Sequence, residues 1–204
     1  MKRTFFICFM ALCGLSVSAQ TAEAVTFRGV LAVLRQTVAH WNPAPADVVD
    51  ASGLRLVFYS CYDEGEFDSS AIYYSRNANV MAEYDEESMC RKTEKTGSHA
   101  CVLGIEAATS SGGDIRFSDK GDYDRFFREA VAYGLLQEEG GGEDTYYVTE
   151  EPLPGGKVRR VTNAELFAAL TGESGAQYRR PEFMLTFEGR AADGWYVCSV
   201  GLDF

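Results

Sequence analysis

The run Asp119-Lys120-Gly121-Asp122-Tyr123-Asp124 comes nearest to a metal-binding pattern, with acids alternating around a glycine. Calcium takes roughly six to eight oxygens, and such a run supplies several of them. The bidentate acid that should close an EF-hand loop is missing, because the chain beyond Asp124 already reads as helix. Asp119, Asp122 and Asp124 stay candidates for a cation, set against the plainer reading of an acidic helix start. Two further acidic groups, Asp63-Glu64-Gly65-Glu66-Phe67-Asp68 and the set Glu83, Asp85, Glu86 and Glu87, read as surface loops that attract cations without coordinating one.

Nucleophilic catalysis needs a nucleophile, a base and an orienting group. His99 stands beside Cys101, and a thiol from Cys61 or Cys101 could pair with it if unbridged. No G-D-S-G or G-x-S-x-G segment accompanies it, so His99 reads as a surface histidine at a strand entrance. Pairs of carboxylates could hydrolyse a glycosidic bond, but sequence does not supply their separation. Pro154-Gly155-Gly156-Lys157-Val158 lacks the spacing and hydroxyl of a phosphate loop, no G-x-G-x-x-G exists, and no C-x-x-C pair offers zinc ligands. No cofactor is expected.

Binding chemistry has better material. Tyr146-Tyr147 and Trp195-Tyr196 are adjacent aromatics in strand-like segments, where neighbours face opposite ways. Tyr146, Tyr147, Trp195 and Tyr196 are therefore the candidate ligand-binding residues. Exposed Tyr and Trp beside acids suit a protein or carbohydrate ligand. The chain of 204 residues carries a formal charge of −11, which excludes a phosphate-backbone binder, so no nucleic acid is expected as a partner.

These residues need a scaffold, and the chain supplies one after an N-terminal leader. Met1-Lys2-Arg3 precedes an apolar run from Phe5 to Val17, and Ser16-Val17-Ser18-Ala19 provides small residues for cleavage before Gln20. Residues 1–19 read as a bacterial-type signal peptide, too short to span a bilayer. Export to the periplasm or medium is expected, with no transmembrane segment in the mature chain. Cysteine use agrees. Cys8 and Cys13 leave with the leader, and Cys61, Cys90, Cys101 and Cys198 remain to form disulfides. A Cys90–Cys101 bridge would close a short ring worth about 3 kcal/mol, with Cys61 and Cys198 as a second pair or as buried thiols.

Phe27, Leu31, Leu34, Val38 and Trp41 mark a helix that ends at Asn42-Pro43-Ala44-Pro45. Strands are expected from Leu54 towards Cys61 and over 100–107, with a hairpin pairing 71–75 with 80–84 and a polar loop over 85–98. Ser110-Ser111-Gly112-Gly113 divides the chain into a first half, 20–109, and a second, 114–204, the two being lobes or one continuous domain. In the second half, 114–117 reads as a strand. Ser118 to Leu136 reads as a helix striped by Tyr123, Phe126, Phe127, Ala130 and Val131, with Gly134 as its left-handed cap. Strands follow at 146–148 and 158–161. Thr162-Asn163-Ala164-Glu165 is a capping box opening a short helix, and 183–187 with 195–200 form a hairpin. A helix followed by strands could recur in each half, but no residue similarity supports a repeat.

The expected fold is α+β: mainly antiparallel sheet with two to three helices on one face. The expected function is an exported, acidic binding or interaction module without catalytic activity. The alternative is a small carboxylate-dependent hydrolase acting on envelope or extracellular polymer. N-terminal sequencing of the exported protein should begin at Gln20; a soluble exported form that retains Met1 would contradict the leader.

Overall fold

The computed structural model describes residues 24–40, 42–63, 67–76, 82–85, 88–93, 99–107 and 112–201. The expected leader, the turn at 77–79 and the acids Glu64, Glu66, Glu86 and Glu87 lie outside them. Among the described residues no helix is long and apolar enough to cross a membrane.

The chain runs α1 (Phe27–His40), α2 (Ala46–Ser52), β1 (Leu54–Asp63), β2 (Phe67–Ser75), β3 (Ala82–Asp85), β4 (Ser88–Thr93), β5 (Cys101–Ala107) and β6 (Gly112–Phe117). It continues through α3 (Lys120–Tyr133), β7 (Leu135–Glu138), β8 (Thr145–Thr149), β9 (Val158–Val161), α4 (Asn163–Thr171), β10 (Pro181–Arg190) and β11 (Tyr196–Gly201). Nine strands form one sheet in the order β1-β2-β5-β6-β11-β10-β8-β7-β9, antiparallel except for β7 with β9. The fold is α+β, as the alternation of apolar residues requires.

That order contains one pattern twice. Helix α1 leads into the meander β1-β2-β5-β6, and α3 leads into the meander β7-β8-β10-β11. Each carries an insertion between its second and third strand: the β3–β4 hairpin in one, β9 and α4 in the other. The last strands of the two meanders, β6 and β11, pair antiparallel in the middle of the sheet, from Phe117 opposite Tyr196 to Gly112 opposite Gly201. Strand 112–117 thus completes the first meander, and the junction between the two runs is Ser118-Asp119.

One face is covered by α1, α2 and α3. The α1 stripe buries Phe27, Val30, Leu31 and Leu34, and α3 buries Phe126, Ala130 and Tyr133 against Cys101, Leu103, Ile115, Phe117, Leu185, Phe187 and Cys198 of the sheet. Phe126 sits at the centre of an aromatic seam, 5.4 Å from Phe27 and 5.1 Å from Phe117. Phe127 meets Phe187 edge-on at 4.8 Å. Arg35 then ties α1 to the second run. Its guanidinium donates to Glu182 Oε2 at 2.8 and 2.6 Å, to Glu150 O at 2.7 Å and to Tyr133 Oη at 3.2 Å.

The helix signals in the sequence are realised as side-chain bonds. Asp119 caps α3 by accepting from the Asp122 N–H, and Thr162 and Glu165 close a capping box on α4. Gly134 departs from the expected left-handed cap, with φ 102° and ψ 124°. It turns the chain directly into β7, and a Cβ there would lie 2.6 Å from Leu153 Cβ, so only glycine fits.

Strand partners differ from the local expectation. β2 pairs with β1 and β5, not with the segment after it, because Ile72, Tyr73 and Tyr74 are buried on both faces and demand an interior strand. The expected polar loop contains β4, which pairs with β3 in a separate hairpin. Leu135 and Leu136, expected at a helix end, are both fully buried in β7.

Truncating the seam should show its weight. Phe126→Ala is expected to cost about 3–5 kcal/mol in urea unfolding, the range for emptying a buried phenylalanine site.

Candidate functional site

Strand alternation that sends Leu103, Ile115 and Cys198 under the helices sends their neighbours to the opposite face. The pairing aligns these in rows. One row runs Gly104, Asp114, Ser199, Thr186 and Thr145 across β5, β6, β11, β10 and β8. The next runs Glu106, Gly112, Gly201, Met184 and Tyr147 across the same strands. Glu106, Asp114 and Glu188 are exposed, and a Cβ placed on Gly104 would meet nothing within 4 Å. Among the described residues these two rows are open and acidic over β5, β6, β11 and β10, with uncharged side chains that are small apart from Met184, whereas Val102 and Val197 in the next row are buried.

Two apolar clusters flank this strip. On one side Trp195 packs with Ile72, Tyr74, Ala100, Val102 and Val197. On the other, α4 places Leu166 over Leu136, Leu153 and Val161, with Tyr147 half-buried beside them. Within the strip, Ser199 Oγ lies 2.9 Å from Asp114 Oδ1 and 2.5 Å from Glu188 Oε1. A serine hydroxyl carries one hydrogen, so it cannot donate fully to both carboxylates. Arg116, a basic residue of the same face, is already engaged. It bonds Asp193 and lies 5.8 Å from the centre of the Trp195 ring. Asp193 is held below the usual carboxylate range by the Trp195 N–H, and Arg116 lowers it further.

The four aromatics expected to bind ligand are not brought together. Tyr146 is buried under α3, 5.7 Å from Phe127, and Tyr196 is half-buried on the same face, 5.6 Å from Tyr123. Trp195 is buried in the opposite cluster and Tyr147 sits beside α4. Adjacent residues do face opposite ways, but each one packs into a cluster.

The candidate cation residues are regrouped. Asp124 leaves the set to hold Lys120 Nζ at 2.6 Å. His99 joins it, with Nδ1 3.0 Å from Asp122 and 3.8 Å from Asp119, and the three ligand atoms lie within 4.8 Å of one another. That set could hold a metal ion, but its oxygens are in use. Asp119 caps α3, Asp122 pairs with Arg125 at 2.7 Å, and the positive end of the helix opposes a cation.

Cys101 and Cys198 are free and buried on the helix-covered face. Strand β6 separates them, about 9–10 Å of sheet, beyond disulfide reach. Burial pushes the Cys101 thiol up, Asp122 adding and Arg125 subtracting. Cys198 is raised by burial, then by Asp114 and Glu188. The expected partners Cys61 and Cys90 belong to β1 and β4, but their side chains lie outside the described residues.

Comparison of the chain with family models, with curated proteins and with solved structures returns no match. Function therefore rests on the geometry. The alternation Gly104-x-Glu106, Asp114-x-Arg116 and Val197-x-Ser199 was present in the sequence as a signal for the open face. It says nothing about which rows align.

The buried acids of these clusters set a pH dependence. Tyr123 is pushed up to about 12 by burial, the Gly189 N–H pulling the other way. A thiol or phenol that stays protonated in the fold but ionises in the unfolded chain favours unfolding at high pH. Urea stability should stay level until about pH 9, the ordinary thiol value, then fall, with Tyr123 adding between 10 and about 12. The Cys101→Ala/Cys198→Ala protein should show a shallower alkaline loss, measured as the urea midpoint against pH.

Proposed function

We propose that the protein is an exported, non-catalytic binding module that docks a partner on the open face of its sheet. The observation that carries this reading is the unequal treatment of the two faces. Helices α1, α2 and α3 bury one, while across β5, β6, β11 and β10 the other leaves three carboxylates exposed over a floor of small residues. A strip of sheet that the described helices leave uncovered, bordered by packed apolar clusters, is a platform whose side chains are already positioned. Rigid display lowers the ordering cost of association.

The hydrolase reading has less support. Asp114 and Glu188 stand on an exposed strand surface, whereas a catalytic acid is tuned by desolvation in a cleft.

Gly104→Tyr tests the platform. The position has room for a side chain and the substitution falls in the middle of the strip, so the variant should fold with unchanged circular dichroism and thermal midpoint. Immobilised mature protein should capture a partner from envelope or culture-medium fractions, and Gly104→Tyr should lose it. Retention of every captured partner by the variant would move the binding surface elsewhere.

A further inference from the structure

We infer that the protein forms a twofold dimer in which the edge strand β1 of one copy pairs antiparallel with β1 of a second copy. The nine-stranded sheet ends at β1 on one side and at β9 on the other, and among the described strands β1 neighbours only β2. A strand at the end of a sheet turns alternate N–H and C=O groups outward, and an extended main chain is the ligand those groups fit. The two ends are built differently. β9 has four residues, and two of them, Arg159 and Arg160, are exposed cations that discourage a further strand. β1 has ten residues and carries no charge between Arg55 and Asp63. Its Val57 is 41% accessible, one of the large apolar side chains left exposed among the described residues.

A register shift between Leu56 and Phe58 bulges the strand at Val57, but from Phe58 to Asp63 it pairs residue for residue with β2. That stretch keeps a regular edge about 20 Å long. Charge selects the direction of pairing. Antiparallel self-pairing brings the end of β1 that carries Arg55 towards the end that carries Asp63 in the second copy, whereas a parallel arrangement would set like charges together. Each main-chain bond is then made twice about the twofold axis, and the pairing uses up the open edge. With β9 blunted, association stops at two copies and does not grow into a fibre. The fold already contains a joint of this kind, since β6 and β11 merge two meanders by antiparallel pairing. β2 separates the new joint from the strip that begins at β5, so self-association is independent of docking there.

Sedimentation equilibrium of the mature protein in reducing buffer, which excludes dimers linked through a cysteine, is the test. Monomer should pass to dimer, and to nothing larger, as concentration is raised about a thousandfold. Amide hydrogen exchange should slow in β1 across the same transition and stay unchanged in β9. Adjacent residues of a strand point their N–H groups to opposite sides, so of Ser60→Pro and Cys61→Pro one loses a bond to β2 and the other only an outward donor. The second of these should keep the wild-type urea midpoint and dimerise at least about tenfold more weakly. If both proline variants lose stability, exchange in β1 decides alone. Phe167→Lys, which removes another large exposed apolar side chain far from this edge in sequence, should change dimerisation less than about twofold. Equal weakening by Phe167→Lys would reduce the effect to exposed apolar surface and overturn the proposal. A protein that stays monomeric at every concentration, a dimer whose β1 amides exchange as in the monomer, or growth into larger assemblies would overturn it as well.

Discussion

Everything in this molecule depends on the pairing of β6 with β11. Each is the last strand of its own meander, and each would be an edge without the other. Their pairing merges two four-stranded units into one sheet and brings Phe117 and Phe187 beneath the same helix. Phe126 and Phe127 of α3 lie across that joint, so the aromatic seam buries apolar surface contributed by both runs at once. Arg35 reinforces it from α1 by gathering a carboxylate, a phenol and a backbone carbonyl that all belong to the second run.

The same pairing creates the candidate site. Asp114 comes from β6 and Ser199 from β11, and Glu188 reaches the same hydroxyl from β10. Glu188 and Ser199 already meet across the β10–β11 hairpin of the second meander, and Asp114 of the first joins them only when β6 pairs with β11. Candidate site and fold thus share one register: the inward residues of β6 and β11 hold the core, and Asp114 and Ser199 among the outward ones form part of the acidic strip. A one-residue slip would exchange the two sets and place Asp114 under the helices.

Much of the architecture was legible in the sequence because it is encoded locally. The stripe of α3, its Asp119 cap, the Thr162–Glu165 box and the alternation of Cys101, Leu103 and Ile105 each depend on neighbours within a few residues. Partner choice is not local. The segment 71–75 carries the same apolar pattern whether it pairs forward or backward, and only burial of both faces of Ile72 to Tyr74 reveals an interior strand. The site was less legible for the same reason. Tyr146, Tyr147, Trp195 and Tyr196 stood out by type, yet packing claims them, while Gly104, Ser199 and Glu188 are ordinary residues made notable by the rows they join. His99 meets Asp119 and Asp122 only because the entrance of β5 lies beside the start of α3.

The tail-to-tail order of the meanders also shapes how the chain reaches its fold. Within each run, most strand pairings join segments close in sequence, with short loops to close. Phe117 and Tyr196, by contrast, lie about eighty residues apart and must meet before either meander has a complete neighbour. Such non-local closure slows folding, since its entropic cost falls due before the aromatic seam can compensate. That pairing closes the longest stretch of chain between any two neighbouring strands of the sheet. Until it occurs, β6 and β11 each present an unpaired edge, so the interval before closure is when this chain is most open to pairing with another copy of itself.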